Sequence, residues 1–309
     1  RESALLPVLN GRVPGLFVTE RGITGFGVAN GSAGQISIRG VGGSPTTGVL
    51  MLIDGHPQFM GNMGHPLSDS YVSSDADRVE VIRGPASVLY GTNAMGGVIN
   101  IITKKQIHEG VHGNARVSYG SENTQKYMGA VGFNKNRFSS YISLNHDQTD
   151  GHRPNSDFKI TNGYFKTGYS FNEHLHATAD FSLADYEAGD PGPDTLNAKT
   201  GERIDITRGY GAFTLQNEFE KVSGSLKLFY NFGEHNITDG FHSTDNNFGL
   251  NFYEAFKLFE GNTITAGADF NQYGGMAENI KAMNGKGMVF ADTAVHETGS
   301  YTFIQQTFL

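Results

Sequence analysis

Chemistry-bearing side chains are densest between Gly55 and His65, where His56, Gln58, Phe59, Met60, Met63 and His65 fall within ten positions. Phe and Met at the tip of a glycine-punctuated loop suggest contact with a cofactor-sized apolar partner, because exposed apolar groups of this kind mark binding surfaces. The two imidazoles could ligate a haem iron or simply hydrogen-bond. The plainer alternative is a loop whose Phe59 and Met60 pack inward. A second loop at 41–48 offers Ser44 and Thr46. Four charged residues, Arg39, Arg78, Glu80 and Arg83, lie on or beside short apolar runs. Charges in such places need partners, and a guanidinium suits bidentate pairing with a carboxylate.

Several chemistries find no support. Ser, His and Asp residues are scattered without a nucleophile elbow. Neither a His-Glu-x-x-His zinc motif nor a phosphate-binding loop occurs, and the glycines do not form the dinucleotide fingerprint. Glu187, Asp190 and Asp194 sit in one acidic stretch without the spacing of a calcium loop, so it reads as a solvated loop. The chain has no cysteine, hence no disulfide framework and no thiolate metal site. These residues point to no enzyme and imply no cofactor.

The elements that carry these residues fall into two parts. Hydrophobic residues make up only 38% of the 309, glycines number 42, and aromatics reach 11%. Strands, tight turns and close backbone approach account for such glycine. Residues 1–105 hold eight Lys/Arg and seven Asp/Glu, whereas residues 106–309 hold fifteen and twenty-four. The acidic balance of the second part argues against nucleic acid as a partner.

The first part, 1–105, opens with a short helix-like piece bearing Leu5, Leu6 and Leu9, followed by strand-like runs at 16–19, 35–39, 49–53, 78–82 and 98–103. The run 49–53 is apolar throughout, so both its faces are expected to be covered, and Asp54-Gly55 ends it in a turn. Residues 86–90 can form one helical turn. This reads as a compact mixed α/β domain.

The second part, 106–309, alternates. Leu175, Ala177, Ala179, Phe181 and Leu183 are apolar, and the residues between them are polar. That is period two, one apolar face per strand. About ten such strands are expected, at 111–119, 125–133, 137–146, 159–169, 174–185, 206–218, 222–232, 247–258, 263–272 and 299–309. Most approach ten residues, the length that crosses a bilayer at a tilt. Short connections at 134–136, 170–173, 219–221 and 259–262 alternate with long polar ones at 146–158, 186–205, 233–246 and 271–298. One rim is thus trimmed and the other elaborated, as in an outer-membrane barrel; the first connection, 120–124, belongs to the elaborated rim but is short. Tyr119, Phe133, Tyr169, Phe171, Tyr230, Phe232 and Phe259 near strand ends would supply aromatic belts. A soluble β-sandwich is the competing fold, but the second face, rich in Ser, Thr, Asn and Lys, suits a watery lumen better.

Motifs in the first part sharpen this. Val13-Pro14-Gly15, Ile38-Arg39-Gly40, Leu52-Ile53-Asp54-Gly55, residues 79–85, Leu89-Tyr90-Gly91 and residues 96–101 occur in this order. Together they resemble the plug domain of TonB-dependent outer-membrane receptors. The resemblance implies an α+β plug domain followed by antiparallel transmembrane β-barrel strands, here about 10 of a 22-stranded barrel. Both ends of the chain are then expected to be truncations.

The resemblance also implies a receptor that binds a scarce, bulky nutrient (a ferric siderophore, haem or cobalamin) and imports it by displacing the plug. Its partners would be TonB with the inner-membrane energising complex, the small-molecule ligand, outer-membrane lipid and a surface lipoprotein. Its place would be the Gram-negative outer membrane, with short turns periplasmic and long loops outside. By the same resemblance, Arg39, Arg78, Glu80 and Arg83 are plug-gating candidates paired with wall carboxylates. Ser44, Thr46, His56, Gln58, Phe59, Met60, Met63 and His65 are ligand-contact candidates. A surface-binding or signalling receptor, and a passive porin or barrel enzyme, are the alternatives.

Overall fold

The computed structural model describes residues 4–19, 28–29, 32–43, 46–87, 93–192 and 201–307. Ser44 and the Leu89-Tyr90-Gly91 motif lie outside the described residues. In the first part, helix α1 (Leu5–Leu9) precedes strands β1 (Leu16–Val18), β2 (Val28–Ala29), β3 (Ser32–Ala33), β4 (Ile36–Ile38), β5 (Val41–Gly43), β6 (Val49–Ile53), β7 (His56–Pro57), β8 (Ala76–Arg83) and β9 (Gly97–Thr103). The principal sheet has the order β7-β6-β9-β8, with β6 parallel to β9 and the other pairs antiparallel.

Strand β6 is the keel of this part. Val49, Met51 and Ile53 pack with Leu6, Ile36, Ile38 and Ile99 on one face, while Leu50 and Leu52 pack with Ala86, Ala94 and Val98 on the other. A strand covered on both sides has no use for polar residues, which explains its unbroken apolar run. Asp54 (φ 45°) and Gly55 (φ 86°) then form a two-residue hairpin that pairs Ile53 with His56. Positive φ at both central residues is what this tight turn requires, and Asp-Gly meets it at low cost. At the start of β9, a Cβ on Gly97 would lie 2.2 Å from the Ile82 carbonyl oxygen, so only glycine lets β8 and β9 close there.

The second part is one antiparallel meander of ten strands: β10 (Gly110–Tyr119), β11 (Gln125–Lys135), β12 (Phe138–Thr149), β13 (Phe158–Ser170), β14 (Leu175–Asp190), β15 (Glu202–Glu218), β16 (Val222–Ile237), β17 (Phe241–Phe256), β18 (Asn262–Asn279) and β19 (Met288–Gln306). Phe165, Phe181, Phe213, Leu228 and Phe248 stand exposed on its outer face. Asn145, Asn162, Arg208, Lys227, Asn231 and Asp245 are buried on its inner face, against the first part.

The connections on the elaborated rim are shorter than expected. The stretch 233–246 is almost all strand, with only residues 238–240 between β16 and β17, and 271–298 narrows to 280–287. The strands instead run on to 16–19 residues from β14 onward. The cause lies on the outer face, where apolar residues give way to Asp185, Glu187, Asp205 and Glu234 toward this rim. Pairing continues above the lipid, where no apolar side chain is needed, so polarity in the sequence marks the end of the bilayer and not of the strand.

Phe213 lies five residues from the short-turn end of β15 on the outer face, near the middle of the expected lipid layer. Phe213→Arg should therefore destabilise the full-length protein in lipid by about 2–4 kcal/mol. Denaturant titration of the protein refolded in vesicles measures this. An unchanged midpoint would show that this face does not meet lipid.

Candidate functional site

The segment that leaves β6 at Asp54 runs along the inner face of the wall and touches it residue by residue. Asp54 receives hydrogen bonds from the Thr103 amide (3.0 Å) and the Thr103 hydroxyl (2.5 Å) and pairs with Lys166 Nζ of β13 at 2.9 Å. Lys166 also donates to Thr103 Oγ1 (2.8 Å), as does the Tyr164 hydroxyl (2.7 Å). Lys227 of β16 donates to the Asp54 carbonyl oxygen. Burial alone would raise the Asp54 pKa. The Lys166 charge and the hydrogen bonds from Thr103 and Lys166 outweigh burial and hold it below the ordinary carboxylate value.

Further along, His56 is fully buried between Tyr210 of β15, edge-on with centroids 4.9 Å apart, and Phe229 of β16 at 5.2 Å. Gln58 Nε2 donates to Asn231 Oδ1 (3.2 Å), and Asn231 Nδ2 donates to the Pro57 carbonyl (2.8 Å). Phe59 meets Tyr273 of β18 edge-on at 5.1 Å. The Gly61 amide donates to Asp245 Oδ1 of β17 (2.9 Å), a carboxylate also held by Arg208 at 2.8 and 3.1 Å. Asn62 Nδ2 donates to the Met276 carbonyl of β18 (3.1 Å). Gly61 has a steric reason to be glycine: a Cβ there would lie 2.4 Å from both the Asn246 and the Gly274 carbonyl oxygens.

The loop tip is packed inward. Met60 is 1% exposed and joins Leu67, Phe158, Ile160, Tyr186, Ile204 and Ile206, with Met63 partly buried beside them. Its amide bonds to the His65 carbonyl at 2.9 Å, closing the tip into a compact turn. His65 is buried, its Nδ1 donating to the Pro66 carbonyl at 3.3 Å. The expected exposure of Met60 is thus corrected, because the wall carries an apolar patch high on β13–β15 that alternation alone does not distinguish from lipid-facing surface. Thr46 is 2% exposed; its Oγ1 accepts from the Ile36 amide (2.9 Å) and donates to the Gly43 carbonyl (3.3 Å), bracing the β4–β5 hairpin.

Beyond the segment, Asp75 accepts from Ser143 Oγ (2.5 Å) and Asn145 Nδ2 (3.5 Å) of β12. Burial raises its pKa above the ordinary value despite those bonds. The four charges singled out in the sequence lie elsewhere. Arg78 pairs with Glu80 at 2.9 Å and approaches Asp77 at 3.7 Å, all exposed. Arg83 Nη1 donates to the Pro14 carbonyl (3.4 Å), and Arg39 occupies the β4–β5 turn at φ 52°. Among the described residues, the ion pair between the two parts has the opposite polarity to that expected, a carboxylate on the first part and a lysine on the wall. Its signal in the sequence is an acidic residue closing a fully apolar strand.

Residues 3–98 match the family model of the TonB-dependent Receptor Plug Domain. A probable TonB-dependent siderophore receptor, PirA, of Acinetobacter baumannii is 36% identical over 135 residues, covering 40% of this chain and 17% of that protein. A ferric enterobactin receptor of Pseudomonas aeruginosa is 38% identical over 115 residues, 34% of this chain and 14% of that protein. Among solved structures, the copper transporter OprC superposes with a TM-score of 0.73 at 17% identity, over 98% of this chain and 49% of OprC. The alcaligin outer-membrane receptor FauA of Bordetella pertussis gives 0.69 at 14% identity, over 94% and 47%. The chain spans about half the length of these structures. With the plug motifs and the plug-type sheet, residues 3–98 form a TonB-dependent receptor plug domain, and the ten-stranded meander beside it gives the chain the plug-and-partial-barrel fold of these solved structures.

Proposed function

We propose that this chain is the gated portion of a receptor that imports a ferric siderophore through the outer membrane, driven by TonB and by displacement of the plug. The observation that carries this is the way residues 54–62 are held to β13 and β15–β18, by side-chain contacts and one ion pair. Such contacts can be broken and remade without unfolding the plug sheet. The siderophore class is supported by the descriptions of the two curated relatives. No covalent step on the ligand is required.

Within this reading, His56, Gln58, Met60 and His65 keep the plug seated, and the partly buried Phe59 and Met63 are the residues of this loop left to meet a ligand. The exposed charges Arg39, Arg78, Glu80 and Arg83 would meet further wall in a barrel of the relatives' length and add to the same docking.

Uptake of ferric siderophores by cells expressing the complete receptor should require TonB. Import that persists without TonB, or no import of any ferric siderophore, would overturn the proposal. Asp54→Asn should loosen the plug by about 3–5 kcal/mol, because it strands a buried lysine, and should raise permeability to bulky antibiotics. Adding Lys166→Met should recover most of that loss, since removing both charges spares the unpaired one; equal leak in single and double variants would deny coupling. Gly61→Ala should weaken docking by about 1–3 kcal/mol through overpacking, seen as faster hydrogen exchange in residues 54–65 with β6 unchanged.

A further inference from the structure

Docking removes two imidazoles of the same segment from water. His56 has neither ring nitrogen in a well-formed hydrogen bond, the Ile53 backbone being its one weak polar neighbour. The groups facing it are Asp54 on the turn, Lys166 on β13, Tyr210 on β15 and Lys227 on β16. A proton on His56 would therefore place a third cation in an enclosed site whose two lysines already face two carboxylates, Asp54 and Asp180 of β14. His65 faces Arg208 on β15, Asp245 on β17 and His235 on β16. The Asp245 carboxylate is already engaged by Arg208 and the Gly61 amide, which leaves little to stabilise a second cation there.

We propose that release of residues 54–65 from the wall is coupled to proton uptake at His56 and His65, so that plug docking weakens in mildly acidic surroundings; the bearing on import rests on the displacement reading above. Burial, then the Lys227 charge, holds the docked His56 well below its ordinary pKa. Burial lowers His65 too, against a smaller opposing effect of the Pro66 carbonyl, with Arg208 lowering it further. Released, each imidazole returns to an ordinary value of about 6.5. The docked state thus binds fewer protons, so docking is at full strength above about pH 6.5 and declines as pH falls toward the docked values. Asp54 acts in the same sense, but only as pH falls through the carboxylate range. Asp75 lies outside the segment and opposes the effect if the whole plug leaves, because its docked pKa is raised.

The test is amide hydrogen exchange of residues 54–65 in the complete receptor in lipid nanodiscs, from pH 8 to pH 5, corrected for the intrinsic rate. The expected result is a flat opening equilibrium above about pH 7. Below about pH 6.5 it should rise with a slope approaching tenfold per pH unit from His56, with a smaller further rise from His65. His56→Gln should remove most of that slope and His65→Gln a smaller part, and the double variant should keep only the remainder that His235, uncovered by the same release, contributes. A flat wild-type profile, or a double-variant slope equal to that of the wild type, would overturn the inference; the wild-type series stands even if a variant fails to fold. TonB-dependent uptake is measured over the same pH range. A rising opening profile with pH-independent uptake would uphold the proton coupling and count against displacement of this segment as the transport step.

Discussion

In lipid, a backbone amide or carbonyl without a partner costs several kcal/mol, and no water is at hand to help. The ten-stranded meander meets this along both edges of β11–β18 and along one edge each of β10 and β19, and the rest of the molecule follows from it. Once a sheet faces hydrocarbon on one side, period two makes the other side a separate surface with its own composition. Here that surface is populated by Asn, Ser, Thr, Lys, Arg and Asp. Any domain seated against it must offer polar partners or leave those groups unsatisfied, each at about 1–3 kcal/mol. The plug answers with Asp54, Gln58, the Gly61 amide, Asn62 and Asp75.

This division separates what holds the plug together from what holds it in place. The apolar clusters around β6 lie almost wholly within the plug, with Tyr210 as a wall contribution to the larger one. The interface with the wall is chiefly hydrogen-bonded, and a single hydrogen bond nets only about 0.5–1.5 kcal/mol. The plug can thus lose its seat while keeping its core. The exception is the apolar cap formed by Met60 with the wall residues Phe158, Ile160, Tyr186, Ile204 and Ile206.

The sequence carried the period of the wall, the short turns, the apolar keel 49–53 and the Asp-Gly turn, because each is decided by residues close along the chain. What it did not carry is partnership across the chain. Asp54 meets Lys166 and Lys227, 112 and 173 residues away, and neither lysine differs from its neighbours in an alternating strand. For the same reason the charges that stood out, Arg39, Arg78, Glu80 and Arg83, were no guide to the ion pair that spans plug and wall. Polar residues near the elaborated rim were equally ambiguous. Asp205 and Glu234 belong to strands that continue beyond lipid, and a loop would show the same composition.

The order of contacts along residues 54–62 has its own consequence. Lys166 lies four residues from the short-turn end of β13 at Ser170, whereas Met276 lies fourteen from the corresponding end of β18 at Asn262. At a rise of about 3.3 Å per residue and a tilt near 45°, that difference is about 23 Å of height. Nine residues span at most about 30 Å, so the segment, which turns at 54–55 and again from Met60, uses most of its reach to climb the wall, with the ion pair low and the apolar cap high. An ion pair gains strength where water is excluded, and its attraction falls severalfold as the effective dielectric rises. Water admitted past Met60 from the elaborated rim would therefore weaken the Asp54–Lys166 pair at the far end of the segment.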